Sequence, residues 1–335
     1  MPLVSMRQVL DEAAAGGYGV GAFNASNMEQ VQAVMRAAQA TQSPVIIQAT
    51  PGAREYTDDR FLIHLVRAAV EVYPEIPVAL HQDHGNSPER CFSAIEQGFT
   101  SVMMDGSLLE DGKTPSDFDY NVAVTRAVVD HAHAVGVTVE GELGTIGGVE
   151  DGHGSGRSHL TDPDQAVEFV RLTGIDALAV AIGTSHGAYK FTKPPTGDVL
   201  AMRLIEEIHA KLPDTHLVMH GSSSVPPELV DRVNAFGGTI RQTWGVPIEE
   251  IQLGIRHGVR KINVETDARL AMTGALRQVF AETPEEIDPR SYLARGRQAM
   301  QAVYEERMTQ FGQAGHAGDY SPKTLAEMSD FYRRA

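Results

Sequence analysis

Short apolar, β-branched runs alternate down this chain with longer stretches whose apolar residues recur at helical spacing. The runs lie at residues 19–26, 44–50, 77–85, 100–107, 138–144, 176–187, 216–224 and 259–267, and each predicts a strand. The stretches at 28–41, 61–73, 88–97, 120–135, 163–172, 199–212, 227–235 with 249–257, and 268–281 predict helices. Gly98, Gly136, Gly174 and Gly258 stand where left-handed C-caps would end four of them. Eight strand–helix units predict an α/β fold, a parallel sheet closed into a (β/α)8 TIM barrel. An open doubly wound sheet is the rival, but the chain has no Gly-x-Gly-x-x-Gly after the first strand and no phosphate-loop motif. Residues 285–335 carry further helical pattern, over 290–311 and again over 322–334, which predicts extra C-terminal helices packed on the barrel or on a neighbouring subunit. No linker or low-complexity stretch divides the chain, so residues 1–335 are read as a single domain.

Charge and composition narrow the function classes. A net charge of −16 opposes non-specific nucleic-acid binding, because the phosphates would be repelled. It does not oppose a phosphorylated small molecule, since a local pocket of N–H groups and cations outweighs the global field. The one cysteine, Cys91, excludes an intramolecular disulfide framework. No apolar run approaches the roughly 20 residues that span a bilayer, and the first residues lack a signal-peptide pattern. A cytoplasmic protein without membrane partners is expected.

The polar residues gather at the strand ends. Asn24 ends the first run and Thr50 the second; Asp83 and His84 end the third and Asp105 the fourth. Glu140 and Glu142 end the fifth, His186 the sixth, His220 with Ser222 and Ser223 the seventh, and Asn263 with Glu265 the eighth. In a closed barrel these ends converge on the C-terminal face, where active sites of this architecture lie. A lone histidine near a strand end is usually an ordinary polar residue. His84, His186 and His220 together are the usual donor set of a catalytic zinc with an open position. His81, earlier in its strand, reads as a hydrogen-bonded core histidine. Glu140 and Glu142, two apart, point to the same side of their strand, into the barrel mouth. Two carboxylates there are costly unless they meet a cation, so both, with Asp105, are candidates for an alternate or second divalent site. Asp83, beside His84, is a candidate proton-transfer group. Six glycines in residues 144–156 predict a mobile loop that carries Glu150 over the site. Gly221, Ser222 and Ser223 offer backbone N–H groups to an anion, with Gly187 and Lys190 completing the pocket. Lys261 falls early in the eighth strand, where it could face inward, and is the alternative on which a metal-free, Schiff-base chemistry would rest. A barrel zinc hydrolase would bring a His-x-His pair on the first strand, and Asn24-Ala-Ser26 offers none.

His81-Gln-Asp-His84-Gly, Gly141-Glu-Leu-Gly144, Thr184-Ser-His186-Gly, His220-Gly-Ser-Ser and Lys261-Ile-Asn-Val resemble, in order and over the whole chain, the class II fructose-bisphosphate aldolases. The likeness is strongest to the branch associated with carbon fixation. It implies zinc on His84, His186 and His220, with Glu142 approaching when the metal moves, and often a monovalent cation near the phosphate. It implies that Asp83 serves the oxygen at C4 and that Glu150 takes the proton from the three-carbon ketone phosphate. Gly187, Gly221, Ser223 and Asn263 would grip phosphate and ketone, and Asn24 and Thr50 the rest of the sugar. Arg290 would reach the neighbouring subunit's phosphate, which implies a homodimer or homotetramer. The expected partners are sugar phosphates: fructose 1,6-bisphosphate and, by the same scaffold, its tagatose or sedoheptulose analogues. The chain departs from the pattern at Glu265, where an aspartate is usual and the extra methylene would push the carboxylate into the pocket. It departs also at Pro51, where an arginine is expected, and at Thr145, where a cysteine is common.

Overall fold

A computed structural model describes residues 3–148, 159–187, 189–191, 193–195 and 199–334. Eight parallel strands close a barrel in chain order: β1 Val20–Asn24, β2 Val45–Ala49, β3 Val78–Gly85, β4 Ser101–Met104, β5 Thr138–Leu143, β6 Ala177–Val180, β7 His216–Met219 and β8 Val259–Val264. The helices are α1 Met6–Gly16, α2 Met28–Thr41, α3 Pro51–Thr57, α4 Asp59–Val72, α5 Pro88–Gln97, α6 Phe118–His133, α7 Pro163–Thr173, α8 Met202–Lys211, α9 Pro227–Ala235, α10 Ile248–Arg256, α11 Thr266–Glu282, α12 Pro289–Gln310 and α13 Leu325–Arg334. The predicted TIM barrel is therefore present.

Each strand sends alternate side chains to opposite faces. Phe23, Ile47, Leu80, Val102, Val139, Leu178, Leu217 and Ile262 point outward into the main core beneath the surrounding helices. Val20, Ala22, Ile46, Ala79, Met103, Ala177, Ala179 and Val218 point inward and pack together with Met6, Val9, Leu10 and Ala13 of α1. α1, which the strand-first reading passed over, thus lies across the N-terminal mouth with its apolar face turned into the barrel.

Three strands fall furthest short of the predicted spans. β4, β6 and β7 end at Met104, Val180 and Met219, and the polar residues assigned to their ends sit on the loops beyond. At β6 and β7 the chain leaves the extended conformation at Gly183 and Gly221, whose φ values of 100° and 62° suit glycine. A further helix, α3, stands between the second predicted strand and the second predicted helix. Thr50 Oγ1 caps it by accepting from Ala53 N at 3.2 Å, and Pro51 occupies the first turn, where its missing N–H costs nothing.

The C-terminal helices pack on this same chain. α12 lies against α2 and runs antiparallel to α11: Phe280 meets Tyr292 at one end, and Arg307 pairs with Asp267 at 3.1 Å near the other. α13 docks on α6, where Tyr332 stacks on His133 and Ser329 Oγ donates to Ala134 O. No helix among the described residues is long and apolar enough to cross a membrane.

Candidate active site and metal centre

The inward positions change character along the barrel axis. Toward the C-terminal face the apolar layer gives way to Asn24, Gln48, His81, Asp83, Glu140, Glu142, Lys261 and Asn263, all buried. Gln48 Nε2 donates to Asn24 Oδ1 at 2.7 Å and to Asp83 Oδ2 at 3.0 Å. Asn263 Nδ2 approaches Asp83 Oδ2 at 3.3 Å from the other side. Asp83 is therefore held by two amides from β2 and β8, as a group that must keep one orientation requires.

Asp83 and His84 are neighbours, and a regular strand would turn one of them out of the barrel. The pairing of β3 with β4 shifts between Gln82 and Gly85, so that Gln82 faces Val102 and Gly85 faces Met104. One extra residue is thus accommodated in β3, a β-bulge. His84 takes φ +47°, a conformation that costs a non-glycine residue about 1–3 kcal/mol. The bulge brings Asp83 and His84 into the site together and returns Gly85 to the outer face. There a side chain is excluded, since a Cβ on Gly85 would stand 2.7 Å from both Cys91 Sγ and Met103 O.

His84, His186 and His220 converge, all buried, with one ring nitrogen of each within 4.8 Å of the others. His84 and His220 each have a second nitrogen engaged by a carboxylate. His84 Nδ1 lies 3.1 Å from Asp105 Oδ2, and His220 Nε2 lies 2.8 Å from Glu140 Oε1. If each carboxylate holds a ring proton, His84 Nε2 and His220 Nδ1 present lone pairs to one another at 3.0 Å. That spacing is close to the edge of about 3.3 Å expected for a tetrahedral ion with nitrogen bonds near 2.0–2.1 Å. Burial, then the neighbouring His84 and Lys261, hold the His220 pKa well below its usual 6.5, so the ring is neutral and fit to ligate. The donor set fits a zinc-like divalent ion, although tris-imidazole sites accept several such ions.

A second group shares His84: its ring, Asp105 and Glu142 also bring ligand atoms within 4.8 Å. Ser107 Oγ lies 2.6 Å from Asp105 Oδ1 and 3.3 Å from Glu142 Oε1. Burial alone would raise the Asp105 carboxyl, but His84 and Ser107 outweigh it and hold the group below its usual 3.8. Burial and then the Asp105 charge push Glu142 well above the usual carboxylate range. One of the two thus keeps its proton unless a cation arrives. Glu140, grouped with them in the sequence reading, has a different position. It belongs to neither ligand group; its oxygens face His220 and, at 2.9 Å, Lys261 Nζ. Lys261 is fully buried on the barrel axis as an ion-pair partner, and His81, also fully buried, bonds Ser101 Oγ at 2.8 Å.

The other predicted residues divide. His186 is not at a strand end; it lies beyond β6 on a loop tied back by its N–H to Gly147 O at 2.8 Å. Gly221 packs so closely on Ser185 that a Cβ would meet Ser185 O at 2.6 Å, which keeps the His186 and His220 loops together. Gly187 has φ 82°, and Lys190 Nζ donates to Ser185 O. Ser223 Oγ receives Glu265 N at 3.3 Å, whereas the Ser222 hydroxyl turns back onto the Met219 and His220 carbonyls. Glu265 is ion-paired with Arg269 one turn along α11, so its longer side chain has a partner on its own helix. Arg290 is 89% exposed in the first turn of α12 and paired with Asp288 at 2.7 Å. Glu150 lies outside the described residues. Gln48 was missed, though a glutamine inside the apolar run Val45-Ile-Ile-Gln-Ala49 was a visible signal.

Comparison with known proteins agrees with this geometry. The profile of "Fructose-bisphosphate aldolase class-II" matches residues 4–316. The chain is 58% identical to the fructose-bisphosphate aldolase of Xanthobacter flavus, over 99% of this chain and 97% of that one. It is 57% identical to the fructose-bisphosphate aldolase class 2 of Synechocystis, over 100% and 96%. Among solved structures it superposes on the YdjI aldolase of Escherichia coli with a TM-score of 0.74 at 28% identity, covering 94% of this chain and all (100%) of the other. With the family profile spanning nearly the whole barrel, the chain belongs to the class II fructose-bisphosphate aldolases.

Proposed function

We propose that this aldolase is zinc-dependent and cleaves fructose 1,6-bisphosphate reversibly to dihydroxyacetone phosphate and glyceraldehyde 3-phosphate. The observation that carries the reading is the pair of facing imidazole nitrogens, 3.0 Å apart beside Asp83, each on a ring oriented by a carboxylate. His84, His186 and His220 would hold the ion, and Glu142 with Asp105 and His84 offers an alternate or second position. When bound, the ion supplies a Lewis acid that draws electron density from the ketone.

The chain's own groups then move the protons. In cleavage the C3–C4 bond breaks as Asp83 takes the proton of the C4 hydroxyl; in condensation Asp83 returns it. Gln48 and Asn263 keep its carboxylate aimed during both. Glu150 is assigned the proton at C3 of the three-carbon half, and Asn24 and Thr50 the remaining sugar contacts. Gly187, Gly221, Ser223 and Lys190 are assigned to one phosphate, with a monovalent cation beside it. Arg290, exposed near the free end of the α11–α12 hairpin, is assigned to the other phosphate in a neighbouring subunit. The protein is accordingly read as a homodimer or homotetramer. It would act in the cytoplasm on sugar phosphates in glycolysis, gluconeogenesis and the Calvin cycle, with sedoheptulose 1,7-bisphosphate as a further substrate. The net charge of −16 argues against nucleic acid as a partner.

The test is cleavage of fructose 1,6-bisphosphate by the purified protein, before and after EDTA and after zinc is returned, with tagatose 1,6-bisphosphate in parallel. Activity on the fructose ester that disappears with EDTA and returns with zinc is expected. Activity that survives complete metal removal sinks the three-histidine reading, and preference for the tagatose ester corrects the substrate.

A further inference from the structure

Behind the bulge of β3 lies a buried charged group that the chemistry above does not use. Arg54, on α3, is 5% exposed. Asp59 grips it through two hydrogen bonds of 2.7 Å, to Nε and Nη2. Its Nη1 also donates to Arg90 O at 3.1 Å, its Nη2 donates to Ser93 Oγ at 3.2 Å, and its guanidinium lies 5.2 Å from the centre of the Phe99 ring. The guanidinium is thus fixed on several sides, and its remaining strong contact is Nη1 to Gln82 Oε1. Gln82 is fully buried and sits immediately before the bulge. Its Nε2 donates to the carbonyl of Asp83 at 2.6 Å.

The register of β3 on β4 steps from Gln82 facing Val102 to Gly85 facing Met104, passing over Asp83 and His84. A backbone carbonyl in a buried, irregular stretch of strand needs a donor. Gln82 supplies that donor, and Arg54 fixes which way the Gln82 amide faces. We infer that Arg54 and Gln82 form a positioning clamp, outside the barrel wall, that holds the bulge in the one shape presenting Asp83 and His84 to the site together. Neither touches the reacting atoms; both act through the backbone of Asp83. The inference rests on the assignment of Asp83 and His84 above.

Gln82→Glu separates positioning from stability. Its carboxylate pairs with Arg54 more strongly but cannot donate to the Asp83 carbonyl, which it repels. Gln82→Met removes both contacts, and Arg54→Lys keeps the charge but loses the planar fork. Zinc affinity, read by competition with a chelator, is expected to fall about tenfold in all three variants, as for the loss of groups that orient a ligand. The kcat for fructose 1,6-bisphosphate is expected to fall by about the same factor with KM unchanged, because the clamp acts through the aim of Asp83 and not on substrate binding. Gln82→Glu should keep or raise the melting temperature, and the double variant Arg54→Lys/Gln82→Met should be no worse than Gln82→Met alone. Wild-type zinc affinity in Gln82→Glu and Gln82→Met overturns the clamp, and so do losses that merely follow melting temperature across the series. If the wild type cleaves no bisphosphate, the assigned reaction fails, while the zinc measurement still decides the clamp.

Discussion

Glu140 accepts from Nε2 of His220 at 2.8 Å and so determines which nitrogen of that ring is left to face His84. The contact is buried, and the second oxygen of Glu140 is held by Lys261 at 2.9 Å. Replacing Glu140 by Gln removes the charge and lets the amide rotate, so the ring loses its fixed tautomer. Zinc affinity should drop by about 10–100-fold. Chelator competition on the folded variant measures it, and unchanged affinity would show that His220 is oriented by something else.

Lys261 is expected to matter for stability rather than as a nucleophile. Lys261→Met leaves Glu140 buried without its cation, a loss of about 3–5 kcal/mol in urea unfolding. Borohydride treatment of the wild type with dihydroxyacetone phosphate should leave activity intact and add no mass to the peptide containing Lys261. A labelled Lys261 would return the Schiff-base alternative.

Asp83→Asn keeps the shape of the side chain but cannot take a proton. Cleavage of fructose 1,6-bisphosphate should fall by about 10²–10⁴-fold, the usual range for a lost general acid–base group. Exchange of the C3 proton of dihydroxyacetone phosphate with solvent does not involve C4 and should persist. Equal loss of both reactions would assign Asp83 to a step shared by them.

On the opposite face, Asp11 links α1 to the barrel through His216 Nε2 at 2.7 Å, and it also accepts from Arg7 Nε, one turn back on α1, at 2.8 Å. Burial would raise its carboxyl, but the His216 hydrogen bond and the Arg7 charge prevail and hold it below 3.8. A depressed carboxyl stabilises the fold above its unfolded value, and that contribution disappears as pH falls through the folded one. Asp11→Asn should therefore melt lower than wild type at pH 7, with the gap closing only below the ordinary 3.8. A gap that stays constant down to pH 3 would exclude the linkage.

Periodicity alone exposed the strands and most helices because apolar spacing is strong there; Pro88–Gln97 and Pro227–Ala235 match the predicted spans. It failed where the chain breaks its own period. Asp83 and His84 cannot both face inward on a regular strand, and only the register shift in β3 reconciles them. His186 looked like a strand end, but glycine turns carry it onto a loop. Residues 51–57 show no helical spacing long enough to stand out, yet Pro51 starts α3 there behind a threonine cap. Glu140 and Glu142 share a face, yet they part in role through partners contributed by the loop after β7, by β8 and by the loop after β4, which no local pattern reveals.

The plug that α1 makes across the N-terminal mouth gives the barrel a floor. Met6, Val9 and Leu10 are fully buried there and pack with Ala22, Ile46 and Ala79. In the function proposed above, substrate and products would then enter and leave by the C-terminal mouth.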